Sequence, residues 1–353
     1  MKKAVVLMSM LLLAAGLVLV SCNNSAYGKK SAPSAAAPAP AAAVEIKKDA
    51  VIIRIANNVA DDHPQSIVLA DFKKTLETKS NGSFKVEIYN NNLLGTAEVY
   101  ADNLIKGNIQ MALPGTTIAQ YYPLDAAFSC PFLFRDWDHF TKVAQSEITQ
   151  RIYQDMPEKI GVRCFGQIPT GFRVVDSRVK VNQFEDLKGL RLRVPNIQVY
   201  IAVANGMGTS PISMSLSELY SALEQKAVDA CENTYATLYT SMYHEIAPYI
   251  IETNHIFNTI SFLVNEKFWQ GLPDADKKLM QGCIDESLAR GWEDAIANET
   301  KFKDKMKEEG ATIITPDTVF WKKLVDGQEA SKQVFFKDYP GTEEFSRLIA
   351  EVK

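Results

Sequence analysis

The chain has 353 residues, of which 46% are hydrophobic and 23% charged, and its formal net charge at pH 7 is −4. This charge excludes the basic surface that nucleic-acid binding requires, and the length suffices for two α/β lobes. The five cysteines lack the spacing of a metal site, and beyond the first residues no stretch is long and apolar enough to cross a bilayer.

The first residues of the chain have the pattern of an export signal. Lys2 and Lys3 precede an apolar run over residues 4–20, and a valine and a serine then lead to Cys22. This arrangement predicts a signal peptide at residues 1–21 with a lipobox-type cleavage site, so that Cys22 becomes the lipidated first residue of a bacterial lipoprotein. A plain signal peptide or a short membrane anchor is the alternative.

Residues 22–48 form the next segment, which is rich in Ala, Pro, Ser and Lys and has almost no large apolar side chains. Such a segment buries too little surface to fold, and its prolines favour an extended backbone. We therefore expect it to tether the lipid on Cys22 to a folded domain.

Strands and helices alternate after this tether. Residues 51–56, 84–89 and 109–113 have the apolar pattern of strands, and residues 97–106 have the pattern of a helix that ends at Gly107. This alternation predicts an α/β fold with a largely parallel sheet.

A polar loop that contains Asn57 and His63 follows the first strand, and Pro64 suits the first turn of the next helix. His63 has no His or Cys partner at the spacing of metal ligands. We interpret it as a helix cap or a ligand contact, and we predict no metal site in the chain.

Two later segments each read as a strand that ends in polar residues where a helix begins. In residues 189–196 apolar residues alternate with Arg191 and Arg193 until Pro195 ends the strand, and residues 228–235 place Asn233 at a similar end. Open α/β sheets bind their ligands at the carboxyl ends of strands, so both segments indicate one crevice.

Arg193 lies at the carboxyl end of the first of these strands. A guanidinium in a partly dry cleft needs a counter-charge, and its planar fork suits a carboxylate held by two parallel hydrogen bonds. An ordinary salt bridge to one of the chain's 42 acidic residues is the alternative that the spacing leaves open.

Several short motifs in a fixed order resemble the solute-binding proteins of TRAP transporters, the DctP-like family. The similarity extends from about residue 51 to the C-terminal helices, and motifs in fixed order are more specific than any one of them. The residues that carry it are 92–95, 105–107, 171–173, 184–196, 218–220, 222–223, 228–233, 253–255 and 261–264, together with Pro211 and Met214.

This resemblance implies a two-lobe, periplasmic-binding-protein-like α/β fold with a cleft between the lobes. Lobe I would contain residues 49–169 and 259–298, and lobe II would contain residues 170–258 and 299–353. The stretch from Asp274 to about Glu309 is rich in helix formers and matches the long helix that runs along both lobes in this family.

The resemblance also implies ligand contacts, in which Arg193 pairs with the carboxylate of a small organic acid. The contacts expected from both lobes are Arg193, Arg173, Asn233, Leu216, Asn57 and Glu98. Two positions depart from the family pattern. Leu216 replaces a common aromatic residue, and Ala230-Cys231 stands where relatives usually have Gly-Gln. These departures favour a pocket less polar than, or shaped differently from, those of sugar-acid binders.

The function implied is that of an extracytoplasmic receptor, not an enzyme, that binds an organic acid and delivers it to TRAP membrane subunits driven by an ion gradient. It would act on the periplasmic or cell-surface side, anchored by the lipid on Cys22 and without a cofactor. The alternatives are a receptor for a non-carboxylate or more hydrophobic solute and a two-lobe hydrolytic enzyme. The sequence shows no nucleophile elbow, glycine-rich phosphate loop or Cys/His cluster that would favour the enzyme.

Overall fold

The computed structural model describes residues 44–353, so the predicted signal peptide at residues 1–21, Cys22 and most of the tether lie outside the described residues. The strands of the described part are β1 (Val51–Asn57), β2 (Phe84–Tyr89), β3 (Met111–Leu113), β4 (Val162–Ser177), β5 (Arg191–Val194), β6 (Ser210–Ser213), β7 (Ala230–Thr234), β8 (Tyr249–Ile251), β9 (Phe257–Asn265) and β10 (Thr312–Ile314).

Helices connect these strands and cover both faces of the sheets. They are α1 (Pro64–Lys79), α2 (Ala97–Lys106), α3 (Trp137–Ala144), α4 (Glu147–Tyr153), α5 (Met156–Ile160), α6 (Gln198–Gly206), α7 (Leu216–Glu224), α8 (Tyr235–Thr240), α9 (Tyr243–Ile246), α10 (Glu266–Gly271), α11 (Asp274–Glu308), α12 (Thr318–Asp326), α13 (Glu329–Asp338) and α14 (Thr342–Glu351). Single-turn and two-turn 3₁₀ helices span Gly115–Gln120, Pro123–Ser129 and Phe184–Leu187.

The first lobe contains a sheet with the strand order β2-β1-β3-β9-β4. β1 runs parallel to β2 and to β3, as the alternation of strands and helices predicts. Alternate residues of β1, Ile53 and Ile55, are fully buried and share a core with Phe72 of α1. Burial of each such side chain contributes about 1.5–3 kcal/mol to stability, which fixes α1 on this face of the sheet.

The second lobe contains a sheet with the order β10-β8-β4-β7-β5-β6, in which β5 is parallel to both β6 and β7. Ala230 and Cys231 are neighbours on β7 and point to opposite faces. Ala230 belongs to a core with Tyr200 of α6 and Phe335 of α13. Cys231 belongs to a second core, which includes Phe302 of α11.

The chain crosses between the lobes along β4 and β9, which are antiparallel to each other. β4 has 16 residues; its first part pairs with β9, residues 173–177 pair with β7, and residues 175–177 also pair with β8. The pairing register shifts between Cys164 and Gln167 and again between Pro169 and Gly171. The prediction of a largely parallel sheet therefore fails for these two strands, because they serve as the connection between lobes.

Helix α11 is continuous over 35 residues and packs on both lobes. Met280 and Leu288 belong to the core of the first lobe with residues of α1, whereas Phe302 and Met306 belong to a core of the second lobe. The predicted long helix along both lobes is thus present.

Helix α14 lies on the first lobe, although the predicted lobe boundaries place residues 299–353 in the second. Phe345 and Ile349 of α14 share a core with Phe128 and Ile152 of the first lobe. Gly341, which has a φ of 89°, precedes α14 and lets the chain turn back toward the first lobe. The remaining boundaries stay a prediction.

Within residues 44–353, no helix combines the length and the apolar character that are needed to cross a membrane.

Candidate functional site

A cavity lies between the lobes, where β1, β3, β5 and β7 end. The cavity itself holds about 90 Å³, and the space becomes about 590 Å³ when the mouth that opens to solvent is included. Hydroxyl, amide, imidazole and guanidinium groups from both lobes line it, namely Asn58, His63, Gln65, Thr116, Thr117, Thr170, Arg173, Arg193, Asn233, Thr237 and Asn258.

Arg193 reaches this cavity from the end of β5. The parallel neighbours of β5 fix its backbone, because Arg193 lies between Ile212 on β6 and Cys231 on β7. Pro195 cannot donate a ladder hydrogen bond, so the strand ends at Val194, the residue before it. The guanidinium is thus held by a short strand in the middle of a sheet.

The Arg193 side chain is 2% exposed and donates from Nε and Nη2 to the carbonyl oxygen of Met214, at 3.1 and 2.7 Å. Within residues 44–353 no carboxylate forms an ion pair with it and Nη1 has no hydrogen-bond partner. Burial lowers the pKa of Arg193, although Glu232 acts in the opposite direction. The ordinary salt bridge that the sequence left open is absent from the described part of the chain.

Arg173 lies on β4 and already has a counter-ion. It donates from Nη2 to Oε1 of Glu232 at 2.8 Å and from Nη1 to Oδ1 of Asn258 at 3.0 Å, and its guanidinium lies 4.8 Å from the ring centre of Tyr200. Burial acts to raise the pKa of Glu232, but Arg173 and His255 together lower it to about 2. Arg173 and Glu232 therefore form a neutral pair, and Arg193 supplies the one uncompensated charge of the cavity wall.

Asp176 and Cys231 lie behind Arg193 on the same face of the sheet, because the three residues are aligned across β4, β7 and β5. The Cys231 thiol donates to Oδ1 of Asp176 at 2.6 Å, and Oδ2 of Asp176 has no partner. Burial raises the pKa of Asp176 to about 7, while the thiol and Arg193 lower it. Asp176 is therefore only partly ionised at neutral pH and is a weak counter-ion for Arg193.

The cavity is also lined by Asn233 and Leu216, the other two residues of the second lobe that were predicted as ligand contacts. Oδ1 of Asn233 accepts a hydrogen bond from the backbone N–H of Thr234 at 2.9 Å, which directs Nδ2 away from the backbone. Leu216 is the first residue of α7, and it adds an apolar surface beside these polar groups.

Asn57 does not line the cavity, contrary to its predicted position there. Its side chain is fully buried in the first lobe, where Nδ2 donates to Ser66 Oγ at 2.9 Å and to Asn90 Oδ1 at 3.1 Å. Its Oδ1 accepts from the side chain of Gln65. Asn57 thus supports Gln65, and Gln65 and Asn58 provide the polar surface of the cavity.

Glu98 is also absent from the cavity lining. It lies in the first turn of α2, where the helix dipole stabilises a carboxylate without any ligand. The strand ends predicted Arg193 and Asn233, and the family resemblance added Arg173; all three line the same cavity. Asn57 and Glu98 came from the resemblance alone. The role of these residues as ligand contacts stays a prediction.

Sequence reasoning missed most of the small polar groups of the cavity. Thr116 and Thr117 lie at the start of a 3₁₀ helix, Thr170 and Asn258 lie where β4 and β9 cross, and Thr237 lies in α8. Single threonines and asparagines carry little signal by themselves, and their orientation depends on strand register. His63 does cap α1, since its Nδ1 accepts from the backbone N–H of Gln65 at 3.1 Å.

The described residues contain no group of three or more His, Cys, Asp or Glu side chains that could hold a metal ion. The cavity instead combines one free guanidinium with amide and hydroxyl groups. Such a set can bind and orient an anionic, hydroxylated molecule.

The sequence profile described as "DctP: Bacterial extracellular solute-binding protein, family 7" matches residues 55–337. The chain is 30% identical over 251 residues to the sialic acid-binding periplasmic protein SiaP of Vibrio cholerae, an alignment that covers 71% of this chain and 77% of SiaP.

Solved structures of similar proteins share the fold. A TRAP periplasmic solute binding protein from Haemophilus influenzae with bound L-gulonate is 33% identical, with a TM-score of 0.81 over 86% of this chain and 99% of that one. Another, from Desulfovibrio desulfuricans with bound sn-glycerol-3-phosphate, is 28% identical, with a TM-score of 0.81 over 86% and 98% of the two chains. The predicted two-lobe fold is confirmed.

Proposed function

The chain belongs to bacterial extracellular solute-binding protein family 7, the solute receptors of TRAP transporters, and we propose that its interlobe cavity captures a small organic acid whose carboxylate pairs with Arg193. Proteins of this family bind solutes outside the cytoplasm and are not enzymes. The predicted role as a receptor is therefore confirmed, and the identity of the ligand and its contacts are the proposal.

The single observation that carries this proposal is the state of Arg193. A buried guanidinium without a counter-ion is strongly unfavourable unless a bound anion neutralises it. Nη1 and the second hydrogen of Nη2 form the end of the guanidinium fork, and both are free of hydrogen bonds to other described residues. A carboxylate fits this end with two parallel hydrogen bonds.

The rest of the lining favours a hydroxylated monocarboxylate of sugar-acid type. Since Arg173 is neutralised by Glu232, the wall offers one free positive charge and thus suits one negative charge. Asn58, Gln65 and Asn233 supply amide groups that exchange hydrogen bonds with hydroxyls. L-gulonate, bound by the similar Haemophilus influenzae protein, has this chemistry. A more hydrophobic solute would leave these amides unpaired.

We also propose that the protein is held at the membrane by lipid on Cys22 and presents its loaded cavity to the TRAP membrane subunits. The motif that ends at Cys22 and the Ala/Pro-rich segment after it support the anchor. Membership of the family supports the transporter partner.

Mass spectrometry of ligand released from natively purified protein tests the proposal directly. Calorimetry should then show binding of L-gulonate or a related hexonate, and much weaker binding of the matched neutral polyol and of a C4-dicarboxylate. Binding of sn-glycerol 3-phosphate, measured in the same way, shows whether the cavity prefers a phosphate or a carboxylate. Equal binding of the acid and the neutral polyol would contradict a role for Arg193 in charge recognition.

A further inference from the structure

One hydrogen bond crosses the cavity directly from the first lobe to the second. Nε2 of His63, in the loop between β1 and α1, lies 3.2 Å from Oγ1 of Thr237 in α8. Both side chains are buried, at 1% and 5% exposure, and both line the cavity.

The hydrogen bonds around His63 define which ring nitrogen carries the proton. Nδ1 accepts from the backbone N–H of Gln65 as the N-cap of α1. The proton of the neutral ring is therefore on Nε2, which donates to Thr237 Oγ1. Burial lowers the pKa of His63 to about 3, so the ring is neutral at pH 7.

Both partners are held rigidly by their own lobes. Pro64 at the first helical position and the capping bond fix His63 relative to α1. Thr237 lies in the middle of α8, whose neighbouring residues Ala236 and Leu238 are buried in a core of the second lobe. The two groups therefore meet only when the lobes have the arrangement seen here.

The other side of the cleft has a different contact between lobes. Nε2 of Gln120 donates to the carbonyl oxygen of Asn196 at 3.0 Å, but this contact is exposed. Water competes directly for an exposed hydrogen bond, whereas a hydrogen bond that is shielded from water is electrostatically stronger. The buried bond between His63 and Thr237 is therefore the stronger link.

We propose that His63 and Thr237 form an interlobe latch that holds the two lobes together over the bound solute and slows its release. This inference rests on the proposed function as a receptor. In this role His63 is a positioning residue, since it acts through Thr237 on the closed arrangement and supplies no charge to the ligand.

The size of the effect follows from the type of bond. A neutral hydrogen bond contributes about 0.5–1.5 kcal/mol net, which corresponds to a roughly two- to tenfold change in an equilibrium or rate constant. Because the latch forms after the solute enters, its loss should raise the dissociation rate constant by about this factor. The association rate constant should change little.

The test compares His63→Asn, Thr237→Val and the double variant with wild type by stopped-flow binding of L-gulonate. Asn keeps the N-cap acceptor of α1 but is too short to reach Thr237, and Val keeps the shape of Thr without its hydroxyl. Thr240→Val is the matched control, because Thr240 Oγ1 bonds only to Ala236 within α8.

We expect each single variant to raise the dissociation rate constant two- to tenfold, the double variant to do no more than either, and the control to match wild type. The latch would be overturned if the two increases in the dissociation rate constant add in the double variant. It would also be overturned if His63→Asn raises this rate constant and Thr237→Val does not. The second result would make His63 a ligand contact.

If wild-type protein binds neither L-gulonate nor another acid of the calorimetry panel, the proposed ligand class fails and the latch still has its own test. Spin labels at Lys85→Cys in the first lobe and Glu224→Cys in the second, both exposed, report the distance between the lobes. A background with Cys22→Ser and Cys164→Ala limits labelling elsewhere. The latch variants should shift the distance distribution to longer values, and an unchanged distribution would overturn the inference.

Discussion

At the scale of single residues, the two arginines of the cavity have opposite electrostatic states. Arg173 is paired in bidentate fashion with Glu232, while Arg193 donates only to a backbone carbonyl group. A change at either arginine affects a buried charge. Loss of Arg193 removes a charge that has no ion-pair partner in the described part of the chain, whereas loss of Arg173 deprives Glu232 of its counter-ion.

Arg193→Ala should weaken binding of the cognate acid by a factor of about thirty to several thousand. This range corresponds to the roughly 2–5 kcal/mol that removal of one partner of a desolvated charge pair costs, at about 1.4 kcal/mol per tenfold. Arg193→Lys keeps the charge without the planar fork and should recover only part of the affinity. Calorimetry gives the affinities and circular dichroism confirms folding. Near-wild-type binding by Arg193→Ala would assign Arg193 a purely structural role.

Arg173→Ala should reduce stability as well as binding, because the buried carboxyl group of Glu232 loses its counter-ion and keeps only the contact with His255 at 3.3 Å. Breaking a buried ion pair at one partner costs about 3–5 kcal/mol. Arg173→Ala combined with Glu232→Gln removes both charges and should restore much of this loss. Urea unfolding of the three proteins tests this, and an Arg173→Ala variant as stable as wild type would contradict the importance of the pair.

Asp176 should make stability depend on pH. Its pKa is about 7 in the folded protein and about 4 in an unfolded chain, so the folded state holds the proton more tightly. The free energy of unfolding should therefore fall as pH rises from about 4 to about 7. Asp176→Asn removes this titration and should flatten the profile. Asp304→Asn, at an exposed position, is the control and should leave the profile unchanged. Denaturant unfolding at several pH values measures the slope, and identical slopes for both variants and wild type would refute the assignment.

The sequence predicted the cavity residues that follow directly from strand ends. Arg193 and Asn233 were identified because an alternating strand shows where its last polar side chain lies. The pairing of Arg173 with Glu232 was not predictable, since it depends on the antiparallel register of β4 and β7. Asn57 was predicted as a contact from the family resemblance and not from a strand end. Four neighbouring polar groups instead satisfy its side chain.

At the scale of elements, β4 and β9 form the connection that determines how the lobes are joined. β4 is continuous in sequence but irregular in pairing, and Gly171 lies just after its second register shift with a φ of 96°. A Cβ atom at this position would lie 2.1 Å from Oε2 of Glu299 and 3.3 Å from the ring of Trp137. The side chain of Glu299 in α11 accepts a hydrogen bond from the neighbouring Phe172 N–H, so the crossing and the long helix are linked here.

Gly171→Ala should lower the free energy of unfolding by about 1–3 kcal/mol, because the residue has a φ that non-glycine residues rarely adopt and the new methyl group displaces Glu299. Gly282→Ala in α11 is the matched control. It has no close neighbour within 4 Å and should raise stability by up to about 1 kcal/mol, since Ala favours helix. Urea unfolding measures both changes, and a stabilising Gly171→Ala would contradict the strain described here.

Most elements of the first lobe were predictable, since β1, β2 and α2 have clear apolar periods and end signals. The long helix was predictable from its length and its helix formers. The crossing strand β4 was not predicted as one element, because glycines and a proline interrupt its pattern and only pairing with β9 keeps it extended. The position of α14 was also unpredictable, since its amphipathic pattern does not say which core it covers.

At the scale of the whole molecule, the two lobes are joined by β4, β9 and the continuous helix α11. Several connections side by side restrict relative motion to a hinge, because independent rotation of the lobes would break the pairing of β4 with β9. The cavity lies between the lobes, so motion of this kind exposes or encloses it. The resemblance predicted this arrangement, but the hydrogen bonds across the cleft depend on side-chain geometry that no periodic pattern contains.

Cys22→Ser should release the whole protein from the membrane fraction into the soluble extracytoplasmic fraction. The predicted lipid needs the thiol of Cys22, and without it the polar tether has no affinity for a bilayer. Cell fractionation with immunoblotting measures the change, and Cys283→Ser serves as a control at a cysteine in the folded domain. Full retention of Cys22→Ser in the membrane fraction would contradict lipid anchoring.

The unpaired charge of Arg193 also has a consequence for competition between receptors at the transporter. A receptor that closed around water alone would bury this charge without an anion, so closure of the vacant form is less favourable than closure around an anionic solute. Vacant molecules should therefore be closed for a smaller fraction of the time than loaded ones. If the membrane subunits recognise the closed shape, vacant receptors will occupy their docking surface less often than loaded ones, and transport will be inhibited less by an excess of receptor over solute.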